Sequence, residues 1–418
     1  MTIRNTTSLV LATVLTGILA LTPTARAGGL YVSDFGTPAM GTAGAGINAR
    51  ASDASTALHN SAGMTRLDSH QLMLGLAPGW ATVKFDADSD SPSGGGDGGD
   101  QGGLVPIMSA TYVHKLSDRW RFGLALASIS GAALDPDNDW AGRNELAKIQ
   151  LFTLSVMPSI AFQVTDWLSF GAGPVLTYAR LDWDLFAPLP GPGAGEAKVK
   201  LDDADDIQPA ANLSVHIQPR SDLRIGVVYQ SKTDFDLDGD ATIPAGVSAG
   251  IGIGLPLAQF VRGSIYWDAT DRLAVLASAD WEDWSQAGNI PVSIADGDTK
   301  VPLGFHDTWK AALGFHYKLN DAWTVQTGFA YDSSAVNTKD RITALPVDRQ
   351  LRVGVGTIHQ YSETTQLGFG FLWVDLGDAR VNNSVVKGDY ERQQIFLLSL
   401  NVNWSKLPWA GRGTFRSE

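Results

Sequence analysis

A chain of 418 residues carrying a formal charge of −13 and no cysteine has the length of two or three soluble domains. The acidic balance lacks the basic footprint of a nucleic-acid binder and excludes that partner. Without cysteine no disulfide can contribute, so stability has to come from burial and from backbone hydrogen bonding.

From the N-terminus, Arg4, the uncharged apolar run 8–21 and the small-x-small triplet Ala25, Arg26, Ala27 read as a signal peptide over 1–27. The run of about fourteen residues is shorter than the roughly twenty that a spanning helix needs. Removing Arg4 and Arg26 moves the formal charge from −13 to −15.

Residues 28–67 follow, dominated by Gly, Ala, Ser and Thr. Such a segment cannot fill a core of its own but packs well when threaded inside something larger, which makes it a candidate plug. Within it, Asp53 is expected to cap a short helical turn over Thr56, Ala57, Leu58 and His59, and Gly63 to end the segment with a positive φ.

Beyond residue 67 the pattern has period two, the signature of strands with two unlike faces. One face from Trp323 to Tyr331 carries Trp323, Val325, Thr327, Phe329 and Tyr331, and the other carries Thr324, Gln326, Gly328 and Ala330. The same division recurs after Trp309 and after Gln366. It recurs again at the end, where Phe396, Leu398, Leu400, Val402 and Trp404 oppose Ser399, Asn401 and Asn403.

Short polar turns at Ser117, Thr165, Ser221, Thr270, Asn320 and Ser362 recur every 42 to 56 residues. Between them lie longer segments rich in Gly, Pro and Asp at 87–103, 131–148, 187–206, 238–258, 287–305, 336–347 and 377–389. Tight turns on one side and long loops on the other describe an outer-membrane barrel, with the bulky face toward lipid and the small or polar face toward the lumen. The ladder predicts an all-β fold: a 14-stranded antiparallel transmembrane barrel over 68–404, with residues 405–418 as a tail of unassigned role. A β-propeller shares the period, but its strands are shorter and its blades carry a common motif. Trp120, Trp167, Trp323 and Tyr361 fall at the turns, where an interfacial girdle belongs.

Two acidic stretches invite a metal. Asp97 and Asp100 lie in a single glycine-rich repeat without the apolar anchor of a calcium β-helix. Asp234, Asp236 and Asp238 open like an EF-hand loop, but Ala245 stands at its twelfth position. No metal site and no cofactor is expected; loops in contact with lipopolysaccharide-bound cations are. The seven histidines are scattered, with no nucleophile elbow beside any of them, so an outer-membrane lipid hydrolase is an alternative and a non-enzyme the expectation. The uncharged segment 243–260, interrupted by glycine and proline, reads as an apolar extracellular loop. Ile251, Ile253, Leu255, Leu257 and Phe260 are its candidates for first capture of an apolar ligand, with a greasy lid as the alternative.

Taken together, the stretch from Met40 through Asp53 to Met64, the motif from Asn138 to Arg143, Met157 to Ala161, Trp281 to Ser285, Asp307 to Trp309 and Trp323 to Asp332 resemble the FadL/TodX family of outer-membrane transporters. The resemblance runs through nearly all of the mature chain. It implies a monomeric barrel in the Gram-negative outer membrane with residues 28–67 as a hatch inside the lumen. It further implies passive passage of long-chain fatty acids, or alternatively of aromatic or alkane hydrocarbons, released sideways through the wall. The family's Asn-Pro-Ala hatch motif corresponds to Asn60, Ser61 and Ala62, with serine in place of proline.

Overall fold

The computed structural model describes residues 36–128, 130–188, 195–243, 247–294 and 297–407. The expected signal peptide, the start of the hatch and residues 408–418, with Trp409 and Phe415, lie outside them.

Twenty strands form one sheet. They are β1 (Gln71–Ala87), β2 (Leu104–Lys115), β3 (Trp120–Ala127), β4 (Gly131–Leu134), β5 (Lys148–Thr165), β6 (Leu168–Pro188), β7 (Glu196–Arg220), β8 (Leu223–Gln230), β9 (Thr233–Ile243) and β10 (Val247–Leu257). They continue with β11 (Phe260–Asp268), β12 (Leu273–Glu282), β13 (Asn289–Ile294), β14 (Gly297–Pro302), β15 (Thr308–Lys318), β16 (Trp323–Asp332), β17 (Gln350–Ser362), β18 (Thr365–Asp375), β19 (Ala379–Asn382) and β20 (Lys387–Ser405).

Fourteen of these make the wall, each antiparallel to the next, in the order β1, β2, β3, β5, β6, β7, β8, β11, β12, β15, β16, β17, β18, β20. The ring closes where β20 returns to β1, from Gln71 opposite Ser405 to Ala87 opposite Gly388. Closure pairs the first and last strands of the sheet with each other, the condition for a sheet in lipid. The alternation read from the sequence is the one the wall uses. On β16, Gln326, Gly328, Ala330 and Asp332 are buried inward while Trp323, Val325 and Phe329 are exposed outward. On β20, Ser399, Asn401 and Asn403 face in and Phe396, Leu398 and Leu400 face out.

The expected tight turns are where the strands reverse, but three of the expected loops are not loops. Strands β6 and β7 continue as one long hairpin, pairing as far as Pro188 with Glu196. The segments read as loops at 238–258 and 287–305 fold largely as the hairpins β9–β10 and β13–β14. The reason is the same period of two: Phe235 and Leu237 are buried while Asp234, Asp236 and Asp238, which alternate with them, are exposed. Glycine and proline content suggested irregular backbone there, and strand pairing overrode it. The four aspartates from Asp234 to Asp240 therefore line one face of a strand and do not curl into a cation-binding loop. Among the described residues no group of three or more His, Cys, Asp or Glu side chains is placed to hold a metal.

Candidate functional site

Residues 36–67 run across the inside of this ring. They form a 3-10 turn (Pro38–Thr42), a one-turn helix α1 (Thr56–His59) and a second 3-10 turn (Ser61–Arg66). Small side chains let the backbone come close to the wall, and the wall answers with glycines. A Cβ on Gly75, Gly226, Gly328 or Gly354 would overlap the carbonyl oxygens of Gly36, Asn48, Thr42 and Met40 respectively. Inward hydroxyls and amides supply the polar partners. Gly46 N–H donates to Ser278 Oγ at 2.9 Å, and Ser278 Oγ donates to the Gly44 carbonyl at 3.1 Å. Asn48 N–H reaches Ser264 Oγ at 3.2 Å, and Ala54 N–H reaches Asn403 Oδ1 at 3.2 Å. Buried backbone groups that lack a sheet or helix partner are thereby satisfied.

The hatch motif is part of this seam. Asn60 Nδ2 donates to the carbonyls of Asn48 at 2.7 Å and Val215 at 3.0 Å, tying the hatch to itself and to β7. Ser61 Oγ meets Ser214 Oγ at 2.8 Å, and the same Ser214 Oγ accepts from Ala62 N–H at 2.9 Å. Two details differ from expectation. Asp53 does not cap α1 directly; Ser55 is the N-cap, and Asp53 Oδ1 accepts from Ser55 N–H at 3.1 Å while Asp53 Oδ2 pairs with Arg50 at 2.8 Å. Gly63 is not among the residues of positive φ, and its role is contact: a Cβ there would press on Thr56 and Ala51.

At the loop end lies a large apolar cluster. It contains Phe85, Trp140, Phe235, Trp284, Phe305 and Tyr390. The sequence-predicted capture residues Ile253, Leu255, Leu257 and Phe260 are buried within it, and Ile251 packs at its edge. Three loops are strapped over this cluster by Glu145, which accepts from Thr343 N–H at 2.7 Å, Thr343 Oγ1 at 3.0 Å and Asn383 Nδ2 at 2.7 Å. Burial pushes the Glu145 carboxyl above the usual range, against the lowering effect of those three bonds.

Among the described residues the wall ladder skips pairs between β5 and β6, at 157–159 opposite 173–175, and between β1 and β20, at 77–78 opposite 398–399, and it parts altogether along one stretch of β2. Between β2 and β3 the pairing ends at Ser109 opposite Ala127. Beyond it, residues 104–108 of β2 pair only with β1, and β4 pairs only with β5. Past the break, Ser130 N–H donates to Thr153 Oγ1 at 3.1 Å and Thr153 Oγ1 donates back to the Ser130 carbonyl at 2.6 Å. Thr153 thus holds the departing strand to β5. Leu104 and Met108 beside the break are 61% and 67% exposed. Inside, Leu58 of the hatch packs on Ala125, Met157, Val175 and Ala210, an uncharged patch spread over β3, β5, β6 and β7. Sequence reasoning did not find this break; the segment 131–148 that follows it reads as a loop in the sequence.

Three of the histidines serve in packing and hydrogen bonding. His316 lies between Tyr266 Oη at 3.1 Å and Gln326 Nε2 at 2.9 Å, His114 meets Tyr112 Oη at 2.8 Å, and His359 stacks on Trp323 with centroids 4.1 Å apart.

Fold and site together define an outer-membrane β-barrel whose lumen is occupied by its own N-terminal segment. The model of the outer membrane protein transport family (OMPP1/FadL/TodX) matches residues 18–403, and the chain belongs to that family. It is 22% identical to the long-chain fatty acid transport protein of Salmonella typhi, over 90% of this chain and 94% of the relative. It is 24% identical to outer membrane protein P1 of Haemophilus influenzae, over 93% and 98%. Among solved structures, a Pseudomonas aeruginosa FadL homologue matches with a TM-score of 0.83 at 20% identity, covering 90% of this chain and 99% of that one. The Pseudomonas putida toluene transporter TodX matches at 0.69 and 17%, with the same coverage. At those identities the structural likeness speaks for the architecture. Family membership makes the protein an outer-membrane transporter of hydrophobic molecules.

Proposed function

We propose that this chain, acting as a monomer and without a chemical step, carries an apolar small molecule from the loop end of the barrel into the membrane. The ligand is captured at the cluster containing Ile251, Ile253, Leu255, Leu257 and Phe260, passes over the hatch motif Asn60, Ser61, Ala62, and leaves between β2 and β4. Burial of each methylene favours transfer by about 0.8 kcal/mol, so an apolar lining serves such a cargo and a wet pore does not.

The interrupted seam is the observation that carries this reading. Unpaired backbone N–H and C=O groups facing lipid cost several kcal/mol each, so a wall edge left open at membrane depth needs a use or a cover. Both ligand classes expected from the resemblance, long-chain fatty acids and hydrocarbons, share the apolar body that this route fits. They differ at one end.

The absence of native cysteine makes the seam testable. A bulky maleimide on Met108→Cys is expected to cut uptake of a radiolabelled apolar probe at least fivefold in a Gram-negative host lacking its own uptake protein of this kind. The same label on Leu313→Cys, outward on β15, should leave uptake intact. Equal uptake in both would remove the β2–β4 exit.

A further inference from the structure

Just loopward of the hatch the lumen has two unlike sides. On β11, β12, β15 and β16 the cross-strand register lines up Arg262 with Asp280, Asp280 with Lys310 and Lys310 with Asp332. One residue comes from each strand, and the signs alternate. Arg352 of β17 joins the row through Asp332 at 2.8 Å, and Glu282 joins it through Arg262 at 2.8 Å. Arg262 Nε stands 3.9 Å from Asp280 Oδ2, and its guanidinium lies 3.8 Å from the centroid of the Phe260 ring. The row therefore sets three cations against three carboxylates.

Arg262, Asp280 and Arg352 each stand two positions from Ser264, Ser278 and Gly354, which seat the hatch. Asp280, Asp332 and Arg352 are buried. The other side of the lumen, at Ala125, Met157, Val175 and Ala210, carries no charge. A molecule crossing from the loop-end cluster to the open seam passes between an apolar surface and a charged but neutralised one.

We infer that Asp280 and Asp332 set the ligand class by holding Arg262, Lys310 and Arg352 in ion pairs, so that the passage takes uncharged hydrocarbons and rejects carboxylates. A ligand carboxylate entering here would have to displace Asp332 from Arg352, leaving two carboxylates to share one guanidinium. Like charges at that spacing oppose ionisation of both. An uncharged chain disturbs none of these pairs. Removing Asp332 takes the opposing carboxylate from Arg352, which keeps the neutral Gln350 Oε1 at 2.9 Å, so a ligand carboxylate would no longer compete with a charged partner for a guanidinium, the donor geometry that best matches it.

This inference rests on the transport reading, and a matched pair of probes separates the two. Cells of the host described above, expressing the full chain, would be given radiolabelled dodecane or dodecanoate at pH 8, where the acid is ionised. The expected result is dodecane uptake above that of cells without the protein and dodecanoate uptake at the background. Asp332→Asn should raise the dodecanoate-to-dodecane ratio about tenfold, and Asp280→Asn should raise it less because its cations keep other partners. Dodecanoate entering the wild type as fast as dodecane overturns the inference while leaving transport standing, and needs no variant to fold. A folded Asp332→Asn with an unmoved ratio overturns it as well. Neither probe exceeding background removes transport and this inference together.

Discussion

Serine at position 61 is where the hatch departs from the family motif, and the geometry around it says what proline would do. Asn60 has φ −156° and ψ 95°, outside the helical region that a following proline disfavours. Ser61 is the first residue of a 3-10 turn, a position where a missing N–H costs little. Ser61→Pro therefore fits the backbone and forfeits the hydroxyl contact with Ser214. A stability loss of no more than about 1 kcal/mol is expected, read in thermal unfolding, with uptake unchanged. Ser214→Ala should be worse, about 1–3 kcal/mol, because it also leaves the Ala62 N–H buried without an acceptor. Wall glycines give a second contrast. Gly226→Ala drives a Cβ into the Asn48 carbonyl and should cost about 1–3 kcal/mol by overpacking, whereas Gly263→Ala meets Ala279 O at 3.6 Å, an ordinary contact, and should be nearly silent. A melting-temperature difference between these two variants of less than a degree would show that the hatch is not seated on Gly226. The sequence shows which segment is small, but not which wall glycines receive it, because that pairing joins residues some 180 positions apart.

At the scale of elements, strand alternation was legible wherever one face is bulky and the other small, as on β16 and β20. It was obscured on β9 and β10 because glycine, proline and aspartate usually mark turns, and on these hairpins they occupy exposed or closely packed strand positions. The break after β3 was illegible for another reason: a ladder ends when a neighbour leaves, and no single strand's pattern records its neighbour. The loop straps are likewise a matter of distant partners, with Glu145 reaching Thr343 and Asn383. Since burial raises the Glu145 carboxyl, the folded loops hold its proton more tightly than the unfolded chain does. The stability this contributes is complete below the ordinary carboxylate range and is lost as pH rises through the raised value. Amide protection factors in the loop around Thr343 should fall across that window and stay level in Glu145→Gln. A protection profile indifferent to pH in the wild type would deny Glu145 this role.

For the whole molecule, six tight turns and seven longer segments were enough to count the fourteen-strand wall, since both repeat around the ring and each follows from local composition. Lumen occupancy has a consequence that composition could not supply. The wall closes through β1 and β20 without help from residues 36–67, while its inner face presents glycines, serines and asparagines to whatever fills it. With the hatch present, Ser214, Ser264, Ser278 and Asn403 among them are bonded to it; with the hatch deleted, they would be solvated. Deleting residues 36–67 should thus leave a folded barrel with heat-modifiable mobility but turn a chain of low steady conductance into an open, weakly selective pore in planar bilayers. The same deletion should erase the preference for apolar probes, because water would then fill the lumen beside the patch at Ala125, Met157, Val175 and Ala210. If the full chain already conducts as steadily as the deletion, the N-terminal segment does not close the lumen, and the route past Asn60, Ser61 and Ala62 loses its basis.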